Sequence, residues 1–585
     1  MSITLDESPA ATTTAAPPRK ARGRRVKQDP VTILLIAVVV AILFLLVLLP
    51  LGQTFLAAFS ERGWNTLTRM FTSPVNRQIL VNTVVLGLLV AALGTLIGFV
   101  LAYAQARLEW RGKKFVHLLS LLPIVSPPFA VATAVITLFG RGGIISNQLL
   151  GQQWNVYGLG GLTLVLALSF FPVAYLNLLG MLRSLDPSLD EASQSLGANK
   201  WQVFRTVTLP MLIPGFAASF LLLFVEAIAD LANPLVLGGD FTVLASRAYI
   251  AIIGEYNLGA GAAYSMVLLV PALLVFIVQR YWSNRQSAVS VTGKPAGAAK
   301  MNTSNAARIP VLALVAIVMA LIITIYGTVI LGGFVRILGV NNAFTLDNYR
   351  YLFQGIGSDA IITTTLLALI ATPIAGILGM LIAWLVVVKL RRGAGVMDFL
   401  GMLGLAVPGT VLGIGYAIAY NTPFDAFGRR FIPALAGGGA IFAGAMAIVM
   451  VYIARSIPAG QRSGVAALQQ IDPAIDEAST SLGASGLTTF RKVTIPLIRM
   501  ALLSGLTYAF ARSMTTISAI IFITTPRTRI MTSQILSEVE AGRFGNAFAY
   551  CTILIIIVLT VIGLLNLAMK GKGSSAAPTI PPAAA

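Results

Sequence analysis

The sequence predicts an all-α polytopic membrane protein with twelve transmembrane helices, arranged as two tandem six-helix halves. Three observations lead to this fold class. Apolar residues make up 57% of the 585 residues and charged residues only 11%, against about 45–50% and about 25% in soluble domains. Twelve apolar runs are long enough to cross a membrane. A polar passage also occurs twice, at positions 286 residues apart, which indicates an internal duplication.

The apolar runs set the predicted bounds of the spans. In the first half the spans cover residues 31–57, 79–105, 115–140, 158–182, 208–236 and 260–279. In the second half they cover residues 309–331, 360–388, 398–420, 436–454, 497–523 and 545–568. The chain is therefore predicted to divide into a basic tail, a first half, a cytoplasmic linker rich in small residues, a second half and a second tail, at 1–29, 30–282, 283–308, 309–570 and 571–585.

The duplication extends into the spans. Gly98 corresponds to Gly379 at the same offset from the span start, and the threonines that open span eight, Thr363 and Thr364, correspond to Asn82 and Thr83. Because each half has an even number of spans, the halves are predicted to be parallel repeats related by an axis along the membrane normal.

The distribution of positive charge predicts that both termini face the cytoplasm. Six Lys and Arg residues lie between Arg19 and Lys27, just before the first span, and all eleven lysines fall on that same side. Cytoplasmic segments beside spans are enriched in these residues. Nucleic-acid binding is the alternative for such a run and for the net charge of +20. Anchoring beside a span explains both features, so no nucleic-acid partner is predicted.

The duplicated passage runs over Leu185–Pro210 and Ile471–Pro496, with 15 of 26 positions identical. Its Asp186-Pro187 pair is typical of a helix start, and Gly197 permits a sharp turn before a second short helix, predicted over 199–207. Both copies fall on the cytoplasmic side, and they predict a docking surface for a soluble partner; an amphipathic connector is the alternative. The residues predicted to form this surface are Asp190, Glu191, Ala192, Ser193, Gly197 and Arg205, and Asp476, Glu477, Ala478, Ser479, Gly483 and Arg491.

Charged residues inside spans predict a polar path. Glu226 and Asp230 are four residues apart in span five and are expected on one helix face, with Asn233 beyond them. The offset of 286 residues that relates the two halves makes Glu226 equivalent to Arg512 in span eleven. Because charges in a membrane are costly and usually paired, these four residues are predicted to line the central path, with Glu226 and Arg512 opposite each other. A purely structural ion pair is the alternative.

Several kinds of functional site are excluded because the chain lacks the residues that they require. The chain has one cysteine, Cys551, and one histidine, His117, so a disulfide framework, a cysteine-rich metal site or a Cys/His catalytic pair cannot form. Neither Gly293-Lys294 nor Gly571-Lys572 belongs to a phosphate-binding loop motif. The sequence therefore predicts no catalytic residues, no metal site and no hydrolysis of ATP by this chain.

The duplicated passage resembles the EAA loop of binding-protein-dependent ABC importer permeases. The residues that carry the resemblance are Glu191-Ala192, Gly197 and Leu209-Pro210, and again Glu477-Ala478, Gly483 and Ile495-Pro496. The order of spans and loops is similar to that of the fused permeases of the ferric-iron group, and so are the segments Ala232–Gly239 and Val291–Lys294.

This resemblance implies the fold of a type I importer permease in the bacterial inner membrane. It implies two copies of a separate ABC ATPase, which would bind ATP and Mg and receive the two loops as coupling helices, and a periplasmic substrate-binding protein. The chain itself would bind no cofactor. Ferric iron is the substrate most favoured by the resemblance; fused permeases for 2-aminoethylphosphonate, and in part those for thiamine and hexose phosphates, have a similar layout.

Three other functional classes compete with this interpretation. An ion-coupled secondary transporter would also have repeats, but its mechanism requires no pair of like docking loops. A channel does not explain the loops either. A membrane-embedded enzyme would need a reactive constellation, and the candidates for one are sparse: Glu226, Asp230 and scattered hydroxyls.

Overall fold

The computed structural model describes residues 30–286, 305–390, 392–426, 429–437, 439–472, 474–484 and 486–570. The predicted tails and most of the predicted linker lie outside these ranges. In the second copy of the duplicated passage, the backbone of residues 474–481, called the second docking helix below, is described. The side chains of Asp476 and Glu477 are not.

Helices make up nearly all of the described first half. They are α1 Pro30–Leu43, α2 Leu49–Ala58, α3 Glu61–Thr72, α4 Pro74–Arg107, α5 Lys113–Val125, α6 Pro128–Phe139, α7 Leu159–Ser184, α8 Pro187–Ser195, α9 Lys200–Val203, α10 Leu209–Ala229, α11 Ala232–Leu237, α12 Leu244–Tyr249 and α13 Leu258–Gln286. Wider π-helical turns occupy Phe44–Leu48, Ile144–Leu149, Phe204–Thr208 and Ile250–Gly254.

The second half repeats this order with two small additions of sheet. Its helices are α14 Asn305–Gly332, α15 Asp347–Leu352, α16 Ile356–Trp384, α17 Ala394–Ala406, α18 Gly409–Tyr420, α19 Ala445–Leu468, α20 Ala474–Ser481, α21 Gly486–Thr489, α22 Ile495–Leu497, α23 Arg499–Thr515, α24 Met531–Glu540 and α25 Phe544–Lys570. π-Helical turns occupy Leu385–Lys389 and Phe490–Thr494, and a tighter 3-10 turn occupies Ile441–Gly444. The strands form two antiparallel hairpins, β1 Val335–Ile337 with β2 Asn341–Phe344, and β3 Phe424–Ala426 with β4 Arg429–Ile432.

The predicted membrane fold is confirmed. In the described ranges ten helices are long and apolar enough to cross a membrane, and the number rises to twelve if each of two bent helix pairs is one span. The bent pairs are α17 with α18, at 98°, and Phe490–Leu497 with α23, at 75°.

Spans three and nine are each divided into two helices by a break. Span three breaks between α5 and α6, where Ser126 is extended at φ −91° and ψ 149°, and span nine breaks at Val407, at φ −85° and ψ 126°. A proline follows each of these residues, and the proline ring disfavours helical geometry in the residue before it. Span eleven is also shorter than predicted, since α23 ends at Thr515.

Each half is built around three mutually packed helices, α4, α7 and α10 in the first and α16, α19 and α23 in the second. A Cβ atom on Gly98 would lie 2.7 Å from the Tyr175 backbone nitrogen, and one on Gly379 would lie 2.7 Å from the Gln461 nitrogen. The two corresponding glycines therefore permit the same close approach in both halves. The threonine hydroxyls correspond as well: Thr83 accepts a hydrogen bond from the Leu244 backbone at 2.8 Å, as Thr364 does from Met531.

The first helices of the two halves pack against the opposite half. Helix α2 packs on α18, and the Tyr416 hydroxyl donates to the Leu46 carbonyl at 2.8 Å. Helix α14 packs on α6, and its Tyr326 hydroxyl lies 2.6 Å from Ser126 Oγ in the break of span three. Each broken span is therefore held by a helix of the other half.

Candidate functional site

Helix α8 lies in the first copy of the duplicated passage and is called the first docking helix. It begins as predicted. The Asp186 carboxylate accepts a hydrogen bond from the Ser188 backbone N–H at 2.9 Å, and Pro187 is the first helical residue. In the second copy, Asp472 accepts from the Ala474 N–H at 3.0 Å. A capping role for Glu191, however, is not observed, because it is the fifth residue of α8 and Asp186 already holds the cap position.

A left-handed glycine ends each docking helix. Gly197 has φ +90° and Gly483 has φ +78°, the region that glycine adopts at little cost. Apart from the glycine itself and its two chain neighbours, no atom of the described residues lies within 4 Å of the place where a Cβ would stand on either one. Glycine is therefore required by the backbone conformation of the turn and not by lack of space.

The second helix of the first passage does not end at Val207 as predicted. Asn199 caps it, accepting from the Gln202 N–H at 2.9 Å, while Gln202 Oε1 accepts from the Asn199 N–H at 2.7 Å. From Lys200 the chain stays helical through the wide turn at 204–208 to Ala229, as one span. Pro210 does not interrupt the helix, because it lies in the first turn after the wide turn.

Matched apolar side chains project from both docking helices. Leu196 is 90% exposed and Leu482 is 88% exposed, and the two occupy the same position in their repeats. Leu189 and Ile475 form a second matched pair, at 41% and 40%. Exposed apolar patches mark interaction sites. These residues were not among those predicted to form the docking surface, although an apolar residue kept at the same place in both copies of a polar repeat is a signal for them.

The polar residues of the first passage point in two directions. Asp190 turns back to the bundle, where its carboxylate lies 2.6 Å from the Arg107 guanidinium at the end of α4, and both side chains are largely buried. Glu191, Ala192 and Arg205 are exposed. Ser193 is partly buried, and its hydroxyl donates to the Leu189 carbonyl at 2.8 Å.

In the second passage Ala478 and Arg491 are exposed. Ser479 is partly buried and lies 2.8 Å from the Thr489 hydroxyl, so it joins α20 to α21.

The structure brings Glu226 and Arg512 together. An Arg512 guanidinium nitrogen lies 3.3 Å from a Glu226 carboxylate oxygen, so α10 of the first half and α23 of the second are joined by an ion pair. The side chains keep 27% and 24% of their surface accessible. The pairing predicted from the 286-residue offset is present, and the role of the pair in a translocation path stays a prediction.

Asp230 and Asn233 do not extend this cluster along one helix face as predicted. Helix α10 ends at Ala229, and Asp230 is extended, with ψ 130°. Its carboxylate accepts hydrogen bonds from the Asn233 backbone and side-chain nitrogens at 3.0 and 2.9 Å. Both residues are buried. The Asp230 carboxylate therefore holds the second residue of α11 just beyond the end of α10.

Arg455 is a charged residue that was not predicted to line the path. It lies inside α19, within electrostatic range of both Arg512 and Glu226. The predicted tenth span stopped at residue 454, since a charged residue ends an apolar run. In the described ranges, no three His, Cys, Asp or Glu side chains form a group placed to hold a metal ion.

Three relatives of known name align with most of the chain. The sequence is 36% identical to the ferric transport system permease protein FbpB of Actinobacillus pleuropneumoniae, over 83% of this chain and 70% of the relative. It is 33% identical to the putative ferric transport system permease protein FbpB 1 of Haemophilus influenzae, over 84% and 77%. A second Haemophilus influenzae protein, the Fe(3+)-transport system permease protein FbpB 2, is 23% identical, over 88% and 95%.

The family match is duplicated like the structure. Residues 94–288 and 358–570 each match the family of the binding-protein-dependent transport system inner membrane component. Each matched segment contains one docking helix and one partner of the Glu226–Arg512 pair. The chain is therefore a multi-pass membrane protein that belongs to the binding-protein-dependent transport system inner membrane components.

Proposed function

We propose that this chain is the membrane subunit of an ATP-driven importer that takes ferric iron from a periplasmic binding protein and releases it into the cytoplasm. The observation that carries the proposal is the pair of like docking helices, each with an exposed leucine directly before its turn glycine, at Leu196 and Leu482. Two like surfaces suit two copies of one partner, an ATPase that binds ATP and Mg. Both termini and both docking helices would face the cytoplasm.

The leucines would supply much of the docking energy. Burying one leucine side chain contributes about 1.5–3 kcal/mol, whereas an exposed ion pair contributes about 0–1 kcal/mol. The exposed carboxylate of Glu191 and guanidinium of Arg205 would then add orientation through charge-assisted hydrogen bonds.

The first docking surface is connected to the ion pair by a continuous helix. The span Lys200–Ala229 has 30 residues, which corresponds to about 45 Å of helix. It begins beside the docking turn and contains Glu226 near its other end. Closure of the two ATPases would move this helix as a lever, separate Glu226 from Arg512 and open the cavity to the other side of the membrane.

The second half would transmit the same motion differently. Its corresponding helix bends by 75° at Ile498, between α22 and α23. A bend uncouples the directions of the two segments, so the two halves are not mechanically equivalent. Asp190 belongs to the transmission in the first half, because its ion pair with Arg107 fastens the docking helix to α4.

Ferric iron is the proposed substrate because two relatives, from Actinobacillus pleuropneumoniae and Haemophilus influenzae, are named ferric transport system permease proteins. A small phosphonate, 2-aminoethylphosphonate, is the alternative, followed by thiamine and hexose phosphates, since permeases of these systems have a similar layout.

Reconstitution of the chain with its ATPase and binding protein in vesicles tests the proposal. We expect uptake of radiolabelled ferric iron that requires internal ATP and persists when ion gradients are collapsed, together with a complex mass of one permease to two ATPases. Uptake driven by a gradient without ATP, or a complex with one ATPase, would contradict the mechanism. Uptake of the phosphonate alone would contradict only the substrate.

A further inference from the structure

The charges around the ion pair do not balance. Arg512 is paired with Glu226 at 3.3 Å, and among the described carboxylates Glu226 is also the one that interacts electrostatically with Arg455. The position in the first half that corresponds to Arg455 at the 286-residue offset holds Ser169, which brings no compensating charge. A cation held inside a membrane protein without a matching anion is costly. A bare ferric ion would be repelled by this excess of positive charge.

Arg455 has unused hydrogen-bonding capacity. Its Nε is buried and donates to no acceptor in the described part of the chain. Its Nη1 reaches the Val407 carbonyl only at 3.5 Å, the outer limit for a hydrogen bond. A guanidinium offers five N–H donors in a planar fork that matches the geometry of carboxylate and phosphate groups.

The break in span nine adds further donors beside Arg455. Helix α18 begins at Gly409, where an added Cβ would lie 3.1 Å from Arg455 Nη1. The first N–H groups of a helix have no intrahelical acceptors and favour an anion. Next to Gly409, the fully buried Thr410 hydroxyl has no hydrogen-bond partner among the described residues. Arg455 Nη1 and the start of α18 therefore lie side by side, and Thr410 adds an unpartnered hydroxyl in the first turn of that helix.

We propose that Arg455, Arg512 and the start of α18 form a binding site for an oxyanion, a phosphate, phosphonate or carboxylate group that travels with the solute or is part of it. The proposal rests on the proposed function insofar as the site lies on the translocation path. The anion competes with Glu226 for Arg512, so its arrival loosens the ion pair between the halves. If iron is the solute, it passes this point as an anion-bound complex.

Binding of radiolabelled inorganic phosphate to the permease–ATPase complex in lipid nanodiscs tests the site without transport. We expect saturable binding to the wild type. Arg455→Gln should weaken it by about tenfold, the loss expected for one charged hydrogen bond, and Arg455→Lys should keep most of it. Arg350→Gln removes the same charge from an exposed arginine on α15 and should change nothing. Size-exclusion profiles and co-purified ATPase show that each variant is folded.

Three arms identify the source of the anion: phosphate alone, phosphate with ferric iron, and 2-aminoethylphosphonate. Saturable binding that depends on Arg455, in any of the three arms, supports the site. The ligand that binds most tightly identifies the source of the anion. Absence of saturable binding in all three arms, or equal binding by Arg455→Gln and the wild type, overturns it. Iron uptake by the wild type is measured separately, so a complex that binds phosphate but imports no iron contradicts the proposed substrate and leaves the site intact.

Discussion

Glu226 and Arg512 occupy the same position in the two halves, 286 residues apart, and form an ion pair with a separation of 3.3 Å. In a twofold repeat, identical residues at this position would place two like charges face to face. One acid and one base instead give attraction across the interface between the halves. The duplication thus produced a contact that only divergent halves can make.

We expect removal of one partner of this pair to impair uptake more than removal of both. Glu226→Gln leaves two arginines without a carboxylate, and Arg512→Gln leaves Glu226 with Arg455 alone. In double-mutant cycles, two residues in direct contact typically show coupling energies of about 0.5–3 kcal/mol. A double-mutant cycle on the initial uptake rate measures the coupling, and strictly additive effects would contradict the functional pair.

Whether Gly197 and Gly483 tolerate a substitution should depend on how readily the new residue adopts positive φ, and not on the size of its side chain. Gly197→Val and Gly483→Val place a β-branched residue at positive φ, which costs at least about 1–2 kcal/mol. Asparagine adopts this conformation more readily, and there is open space for either side chain. We expect the double valine variant to insert into the membrane normally but to lose ATPase association and uptake.

The matching Gly197→Asn, Gly483→Asn variant is the control and should retain most of both activities. If the two double variants were equally impaired, the size of the side chain in the docked complex would decide the outcome, and the conformational explanation would be wrong.

The exposed leucines should determine affinity for the ATPase. Leu196→Ala and Leu482→Ala each remove an apolar side chain that is nearly fully exposed in the uncomplexed chain. Loss of about 1.5 kcal/mol or more per leucine corresponds to at least a tenfold weaker complex. Titration of the ATPase onto nanodisc-held permease gives the affinity. Leu149→Ala, at a residue that is 75% exposed and separated from the first docking helix by the span α7, should leave it unchanged.

Features that depend on local sequence were the ones that could be predicted. The helix start at Asp186, the positive φ of Gly197 and the equivalence of Glu226 with Arg512 each follow from a residue type at a given spacing. The break at Asp230 could not be predicted, because an i and i+4 pair shares a face only if the helix continues. The carboxylate of Asp230 is satisfied by Asn233, and no periodicity shows this.

The packing of helices between the two halves could not be predicted from the sequence either. Both halves begin with a strongly apolar helix, so composition cannot decide that α2 packs on α18 and α14 on α6. The contact of Tyr326 with Ser126 joins residues that are 200 positions apart. Arg455 was missed for a related reason, since an apolar window ends at a charge even when the helix continues to Leu468.

The ion pair of Arg107 with Asp190 should couple docking to movement. Both side chains are largely buried, so Arg107→Gln leaves a carboxylate without its partner, a loss of about 3–5 kcal/mol in buried pairs. We expect the ATPase still to bind through the exposed leucines, while its activity loses its response to the loaded binding protein. Basal and stimulated ATP hydrolysis by the reconstituted complex measure this separation.

The reversed pair, Arg107→Asp with Asp190→Arg, restores the attraction and is the control. Recovery of the stimulated rate by the reversed pair, above that of either single variant, is the expected result. If Arg107→Gln kept full stimulation, the ion pair would have no part in the coupling.

The last prediction concerns stability against acid at Glu538, which lies outside the membrane-spanning helices on α24. Burial by itself would raise the pKa of the Glu538 carboxyl, but hydrogen bonds from Arg543, Asn546 and Tyr351 outweigh it and hold the pKa below its usual value of 4.5. Arg543 makes two of these bonds, at 2.6 and 2.9 Å. A group with a lowered pKa contributes stability that is present above its unfolded pKa.

The contribution of Glu538 is therefore complete at neutral pH and is lost as the pH falls below 4.5 towards the lower pKa of the folded state. Glu538→Gln should be less stable than the wild type at pH values near neutral, and the difference should shrink on acidification, because both proteins then carry an uncharged group there. Thermal unfolding of the purified complex in detergent, followed across this pH range, measures the difference. Asp347→Asn, at an exposed pair with Arg350, is the control and should show little change at any pH. A difference between Glu538→Gln and the wild type that stayed constant with pH would show that the charge of Glu538 has no part in it.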